Sequence, residues 1–174
     1  EMMHCDKIIL PGVGAFKDAM EALNKEGMAE AVKAFAHSGK PLLGICLGMQ
    51  LLFESSMEFG KTNGLGLIEG EIIKFDTHRF QERLKVPHMG WNTITNVKGG
   101  LFNKQLENKF VYFVHSYYVP VNEYTAATTE YILPFSASLH KDNFYATQFH
   151  PEKSSALGQR ILKNFVNIVE EAGR

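Results

Sequence analysis

The segment Pro41-Leu42-Leu43-Gly44-Ile45-Cys46-Leu47-Gly48-Met49-Gln50 constrains this chain more than any other. Its first half is an apolar run of strand length. Its second half turns to helical spacing, which predicts a helix over 47–55 with Leu51, Leu52 and Phe53 on the apolar side. Cys46 stands at the junction, with a glycine two residues before it and two after. This is a nucleophile elbow with Cys in place of Ser: a sharp turn presents the side chain, and the glycines let neighbouring backbone approach. The N-terminus of the following helix favours the thiolate, and the Leu47 N–H is placed to help hold an oxyanion. A free cysteine is more often an inert buried residue. That reading fits Cys5, whereas the elbow makes Cys46 the candidate nucleophile.

The rest of the chain fits an α/β domain around that turn. Lys7 to Leu10 reads as a buried strand stopped by Pro11-Gly12, and 16–37 carries helical spacing divided at Gly27. The first third is therefore strand, helix, strand, helix, which predicts parallel strands with helices on the sheet faces. After Asn63-Gly64 short strands follow one another across turns such as Lys98-Gly99-Gly100 and Lys141-Asp142-Asn143, the pattern of antiparallel hairpins. A closing helix is predicted over 154–170, its apolar face made by Leu157, Ile161, Leu162, Phe165, Ile168 and Val169.

Composition narrows the class. With 174 residues, 45% hydrophobic, 21% charged and a net charge of −1, this is the make-up of one ordinary globular domain, with no global drive toward nucleic acid or anionic lipid. The apolar stretch Leu42 to Phe53 is too short and too polar to span a bilayer, and no signal peptide opens the chain. Two cysteines build no disulfide framework, so the expected compartment is a reducing, cytoplasmic one.

A thiol nucleophile needs a base, and the base needs an orienting partner. Gln148-Phe149-His150-Pro151-Glu152-Lys153-Ser154 offers both. Pro151 disfavours helix at His150, so the segment is read as extended, with His150 and Glu152 on one side, about 6.6 Å apart along the strand. Read alone, the two are a surface pair after an edge strand. With an elbow cysteine upstream they become base and orienter. Pro11-Gly12-Val13-Gly14 follows the first strand, where ligands bind in open α/β sheets, and is the candidate second half of an oxyanion hole; an ordinary strand-to-helix connection is its bland reading. His4, His37, His78 and His140 show no ligand spacing, so neither metal nor cofactor is expected. His115 reads as a half-buried strand histidine without a catalytic role. His88 and Met89 are compatible with core packing, and a lone Trp91 is more often core than surface.

The G-I-C-L-G-M-Q elbow together with Q-F-H-P-E-K-S resembles the class I, triad-type glutamine amidotransferases. P-G-V-G-A-F, G-L-G-L-I-E-G, P-H-M-G-W-N and Y-F-V-H-S-Y are similar to the glutaminase subunits of imidazole glycerol phosphate synthase within them. The resemblance runs from Lys7 to about Phe165. It implies a flavodoxin-like mixed, largely parallel sheet with helices on both faces plus antiparallel hairpin strands. Family members begin with a strand-helix-strand unit ahead of the segment matching Asp6 to Gly14. The resemblance therefore implies one glutaminase domain over 1–174 that is N-terminally incomplete, with its first strand-helix-strand unit missing.

The implied reaction is hydrolysis of L-glutamine through a thioester on Cys46, with His150 and Glu152 completing the triad. Ammonia would pass to a (β/α)8-barrel cyclase subunit, in a heterodimer that serves histidine biosynthesis. Leu47, Gly12 and Val13 match the oxyanion positions. Gln50 and Glu58 match positions that hold the glutamine, and Gly14, Ser116 and Tyr117 match positions that bind its backbone groups. Trp91, Tyr112 and Lys153 match the interface with the barrel. Two alternatives stay open: a related triad glutaminase feeding another synthase, such as a sugar amidotransferase, and a non-catalytic scaffold on the same fold.

Overall fold

Strands that are apolar on both sides belong inside a covered sheet, and Leu42 to Ile45 is buried at every position. The computed structural model describes residues 1–78 and 84–168. Its elements are β1 (Ile8–Leu10), α1 (Phe16–Lys25), α2 (Met28–His37), β2 (Leu42–Ile45), α3 (Leu47–Leu51), β3 (Phe53–Ser56), β4 (Thr62–Asn63), β5 (Ile68–Lys74), β6 (His88–Thr93), β7 (Phe110–His115), β8 (Tyr117–Tyr118), β9 (Thr125–Tyr131), β10 (Leu133–Lys141), β11 (Phe144–Thr147) and α4 (Ser155–Val166). Val169 and Glu170, placed in the closing helix by the sequence pattern, lie outside the described residues.

The main sheet has the order β1-β2-β11-β10-β9. β2 is parallel to both β1 and β11, while β11–β10 and β10–β9 are antiparallel. The sheet is thus evenly mixed rather than largely parallel, because the C-terminal strands return through tight hairpins. The period-2 alternation of β2 and β11 sorts their side chains to two cores. Leu42, Phe144 and Ala146 pack with Phe16, Met20 and Val32 of α1 and α2 on one face. Leu43, Ile45 and Tyr145 pack with Ile161 and Phe165 of α4 on the other. Helices therefore cover both faces.

Two local expectations change. Among the described residues β1 pairs on one side only and leaves Ile9 46% exposed, so in this sheet it is an edge rather than a buried strand. The predicted helix over 47–55 stops at Leu51. The N–H groups of Leu65, Leu67, Ile68 and Gly66 take the carbonyls of Leu51, Leu52 and Phe53, which pulls Phe53 to Ser56 into a second sheet, β4-β3-β5-β8. A helix needs those carbonyls for its own next turn, and the tertiary partners win them. β6 and β7 form a separate antiparallel hairpin, with Trp91 opposite Tyr112 and His88 opposite His115.

Candidate active site

Because β1, β2 and β11 run in the same direction, the three segments that leave their carboxyl ends meet at one sheet edge. These are Pro11 to Gly14, Cys46, and Gln148 to His150. The register makes the approach close: the Cys46 N–H donates to Thr147 O at 2.8 Å. Cys46 has φ 54° and ψ −111°, a strained backbone for a side chain with a Cβ. The elbow holds it there by contact on both sides. A Cβ on Gly48 would stand 1.8 Å from Leu10 O, and one on Gly44 would stand 2.8 Å from Gly48 O. Gly12 packs against the same turn, with a would-be Cβ 3.0 Å from Leu47 Cβ.

A cavity of about 580 Å³ opens at this edge. Cys46, His150 and Leu47 line it, together with Val13 and Gly14 of the first loop. Gln50, Glu58, Ser116 and Tyr117 are also part of the wall, so the four segments that the sequence proposed for glutamine face one space. Gly12 and Glu152 stand outside it, behind the elbow and behind His150. His150 is extended at φ −95°, ψ 101°, as the following proline requires, but the chain then enters a 3-10 turn over Pro151–Lys153 instead of continuing extended. Glu152 still reaches His150: its Oε1 accepts from Nδ1. That bond puts the imidazole proton on Nδ1 and leaves Nε2 as the basic nitrogen. His150 is further held by its backbone, donating to Tyr112 O at 2.9 Å and accepting Ser154 Oγ at 2.6 Å.

The thiol is in a different state from the one the elbow alone suggests. Burial pushes its pKa up to about 11. The Leu47 N–H opposes this, Glu152 adds to it, and Gln148 and Lys153 oppose it. A helix of five residues supplies too little field to overcome desolvation. The resting sulfur is therefore protonated. It meets Val114 O at 3.7 Å and the Gln148 side-chain amide at 3.8 Å, and these are its hydrogen-bond partners among the described residues.

Glu58 has its carboxyl pushed up by burial, against the Phe16 N–H; Asp18 raises it further and Lys74 opposes. Gln50 is buried, and its amide donates to Tyr117 O and Gln148 Oε1, both at 3.1 Å. The three residues matched to an interface lie on the outer side of the site. Trp91 is 51% exposed and packs edge-on against Tyr112 at 5.9 Å, so it is not core. Met89 is exposed as well, and Lys153 is at the surface, whereas His88 is buried. Tyr112 connects this outer face to the site through its bond from His150.

Three participants escaped the sequence reading. Gln148 touches the thiol, Ser154 bridges His150 O and the Tyr112 N–H, and His115 is a buried wall residue bonded to His88. Gln148 had a signal: it precedes His150 by two residues in an extended segment and so shares its face.

Comparison with known proteins accounts for this assembly. The model of the family "Glutamine amidotransferase class-I" matches residues 1–169. The chain is similar to the imidazole glycerol phosphate synthase subunit HisH of Bacteroides fragilis, 53% identical over 94% of this chain and 80% of the relative. The HisH subunit of Sulfurimonas denitrificans is 54% identical over 92% and 78% of the two chains, and that of Lacticaseibacillus casei 49% over 98% and 81%. Among solved structures, the glutaminase domain of Trypanosoma brucei CTPS has a TM-score of 0.64 at 18% identity, over 97% of this chain and 75% of that one. PurLQS from Thermotoga maritima has a TM-score of 0.65, likewise at 18%, over 93% and 79%. These distant structures share the mixed α/β fold. The chain belongs to the class I glutamine amidotransferase family, in its branch of imidazole glycerol phosphate synthase HisH subunits.

Proposed function

We propose that Cys46, His150 and Glu152 hydrolyse the side-chain amide of L-glutamine, and that the ammonia goes to a (β/α)8-barrel cyclase subunit bound as a heterodimer. The wider function, as glutaminase subunit of imidazole glycerol phosphate synthase in histidine biosynthesis, follows from the HisH relatives at about half identity over nearly the whole chain. The observation that carries the chemistry is the common wall: Cys46 and His150 line one cavity, and Glu152 bonds the far nitrogen of His150.

A thiol with a pKa of about 11 needs deprotonation at the moment of attack. As the sulfur attacks the amide carbon, its proton passes to His150 Nε2. The Leu47 N–H and the Gly12–Val13 peptides receive the oxyanion. Collapse breaks the C–N bond, and the imidazolium protonates the departing ammonia. His150 then takes a proton from water as its oxygen attacks the thioester carbon; the C–S bond breaks, glutamate leaves, and the proton returns from His150 to the Cys46 sulfur. Gln50, Glu58, Gly14, Ser116 and Tyr117 hold the substrate.

The cyclase would dock on the outer face of the β6–β7 hairpin, where Met89, Trp91 and Phe110 are exposed beside Tyr112 and Lys153. The parallel β1–β2–β11 unit, with all three motifs at its carboxyl edge, supports the flavodoxin-like reading of the sheet. Cys5 and Cys46 are both unpaired, which suits a reducing cytoplasm. No helix among the described residues is long and apolar enough to cross a membrane.

Co-purification with a histidine-pathway barrel cyclase, followed by a glutaminase assay with and without the cyclase's nucleotide ligand, tests the assignment. Cys46→Ala is expected to abolish glutamate release while the complex still makes product from added ammonia. Glutamate release at the parent rate would refute the nucleophile. A complex that fails to form, or shows no stimulation, would favour a glutaminase serving another synthase.

A further inference from the structure

Two buried histidines lie beside the catalytic cavity and take no part in the triad. His88 of β6 and His115 of β7 face each other across the hairpin, Nδ1 to Nε2 at 3.0 Å. Their surroundings fix every proton in the pair. At one end, His115 Nδ1 lies 2.9 Å from Tyr117 O, a carbonyl that only accepts, so Nδ1 carries the hydrogen. In a neutral ring Nε2 is then an acceptor, and the hydrogen between the rings belongs to His88 Nδ1. His88 Nε2 is left to accept.

The other end reaches the same answer independently. The Asn92 amide is oriented by two backbone groups: its Oδ1 accepts from Thr93 N at 2.8 Å, and its Nδ2 donates to Glu130 O at 3.0 Å. That Nδ2 faces His88 Nε2 at 3.5 Å. A proton added to His115 Nε2 would put donor against donor between the rings, and one added to His88 Nε2 would put donor against donor at Asn92 Nδ2. Burial agrees, pushing His88 down to about 4 and His115 to about 3.

The relay continues past Tyr117 O. The same carbonyl accepts Gln50 Nε2 at 3.1 Å, which also donates to Gln148 Oε1 at 3.1 Å. With its oxygen so held, Gln148 turns its Nε2 to the Cys46 sulfur at 3.8 Å.

We propose that His88 and His115 are positioning residues of the glutaminase: a one-directional neutral relay, Asn92 to His88 to His115 to Tyr117 O, that anchors the carbonyl on which Gln50 and Gln148 are ordered and so aims the thiol. The kinetic part rests on the glutaminase reading, whereas the proton assignment does not. His115 therefore has a role that its place in a strand hides.

Long-range 15N–1H correlation on the full chain labelled at its seven histidines reads the tautomers directly. His88 and His115 are expected as neutral Nδ1–H rings, unchanged from pH 5 to pH 8. Assignment uses the loss of one signal in His88→Phe, which keeps the ring stacks on Phe113 and Tyr131 but removes the donor. That variant is expected to lose about tenfold in kcat with KM for glutamine within about twofold. Its Cys46 alkylation rate by iodoacetamide is expected to change as well, and His88→Gln, which retains an N–H donor, is expected to recover most of the loss. An Nε2–H ring or a cation at either position overturns the relay, even while glutamine is hydrolysed. So does a His88→Phe protein with the kcat and alkylation rate of the parent. Correct tautomers in a protein without glutaminase activity would instead sink the catalytic reading, and with it the positioning role.

Discussion

Two glycine-bearing loops face the same sulfur, and they are built on opposite terms. In the elbow, the space where a Cβ would stand is filled by β1 backbone at Gly48 and by the backbone of the elbow's own helix at Gly44. Every residue from Leu42 to Phe53 is buried, so the strained Cys46 is held from all sides. In Pro11 to Gly14, Gly14 has φ +90° with nothing within 4 Å of a would-be Cβ, and Val13 is 80% exposed. The first loop is fixed by packing, whereas the second is packed against the elbow at Gly12 and open beyond it, at Val13 and Gly14. Of the oxyanion site proposed above, the elbow half is therefore tightly packed, and the Val13–Gly14 half has room to re-aim its peptides, which glycine permits in both orientations.

The sharpest break of this contrast is Gly48→Ala. Its Cβ would meet a strand carbonyl rather than a flexible side chain, and the expected cost is above about 3 kcal/mol, read as loss of cooperative thermal unfolding. A stable Gly48→Ala protein with normal turnover would show that the elbow is not fixed.

His150→Ala comes next. It is expected to lower glutamine hydrolysis by about a thousandfold or more, because a thiol with its pKa near 11 is almost wholly protonated at neutral pH. Iodoacetamide alkylation of Cys46 in that variant is expected still to be rising at pH 10. A plateau near pH 7 would mean that the helix end alone makes the thiolate.

The raised thiol pKa also sets a stability window. Its contribution is full below the ordinary value of 9.0 and is lost as pH rises toward about 11. For His88 and His115 the sign is opposite: their depressed values contribute stability above pH 6.5 that is lost as pH falls toward 4 and 3. Melting temperature against pH is thus expected to decline below 6.5 and again above 9.

The smallest effect belongs to Gly14→Ala. With no clash and only an unfavourable φ, it is expected to cost about 1–2 kcal/mol of stability and to cut turnover by several-fold. Equal damage from Gly14→Ala and Gly48→Ala would erase the contrast between the loops.

The same contrast explains what the sequence made legible. The elbow and His-Pro-Glu are local patterns: strand, turn and helix spacing sit within a dozen residues, and a proline dictates the conformation before it. The carboxyl-edge placement of Pro11 to Gly14 follows from the strand-helix alternation. By contrast, the early end of α3 depends on Gly64 to Ile68 taking the carbonyls of Leu51 to Phe53, a tertiary competition that spacing does not record. The exposure of Trp91 and Met89 depends on which face of the hairpin is covered. The thiol's state depends on burial, which outweighs the helix end that the local pattern displays. Likewise the His88–His115 bond joins residues 27 apart, and the Gln148–Cys46 bond residues 102 apart.

The central claim, that the fixed elbow presents the nucleophile, is tested most directly by peptide mass spectrometry after treatment with a γ-electrophilic glutamine analogue. One covalent adduct is expected, on Cys46, blocked by excess glutamine, with Cys5 unmodified. An adduct on Cys5 alone, or full loss of glutaminase activity with Cys46 unmodified, would contradict it.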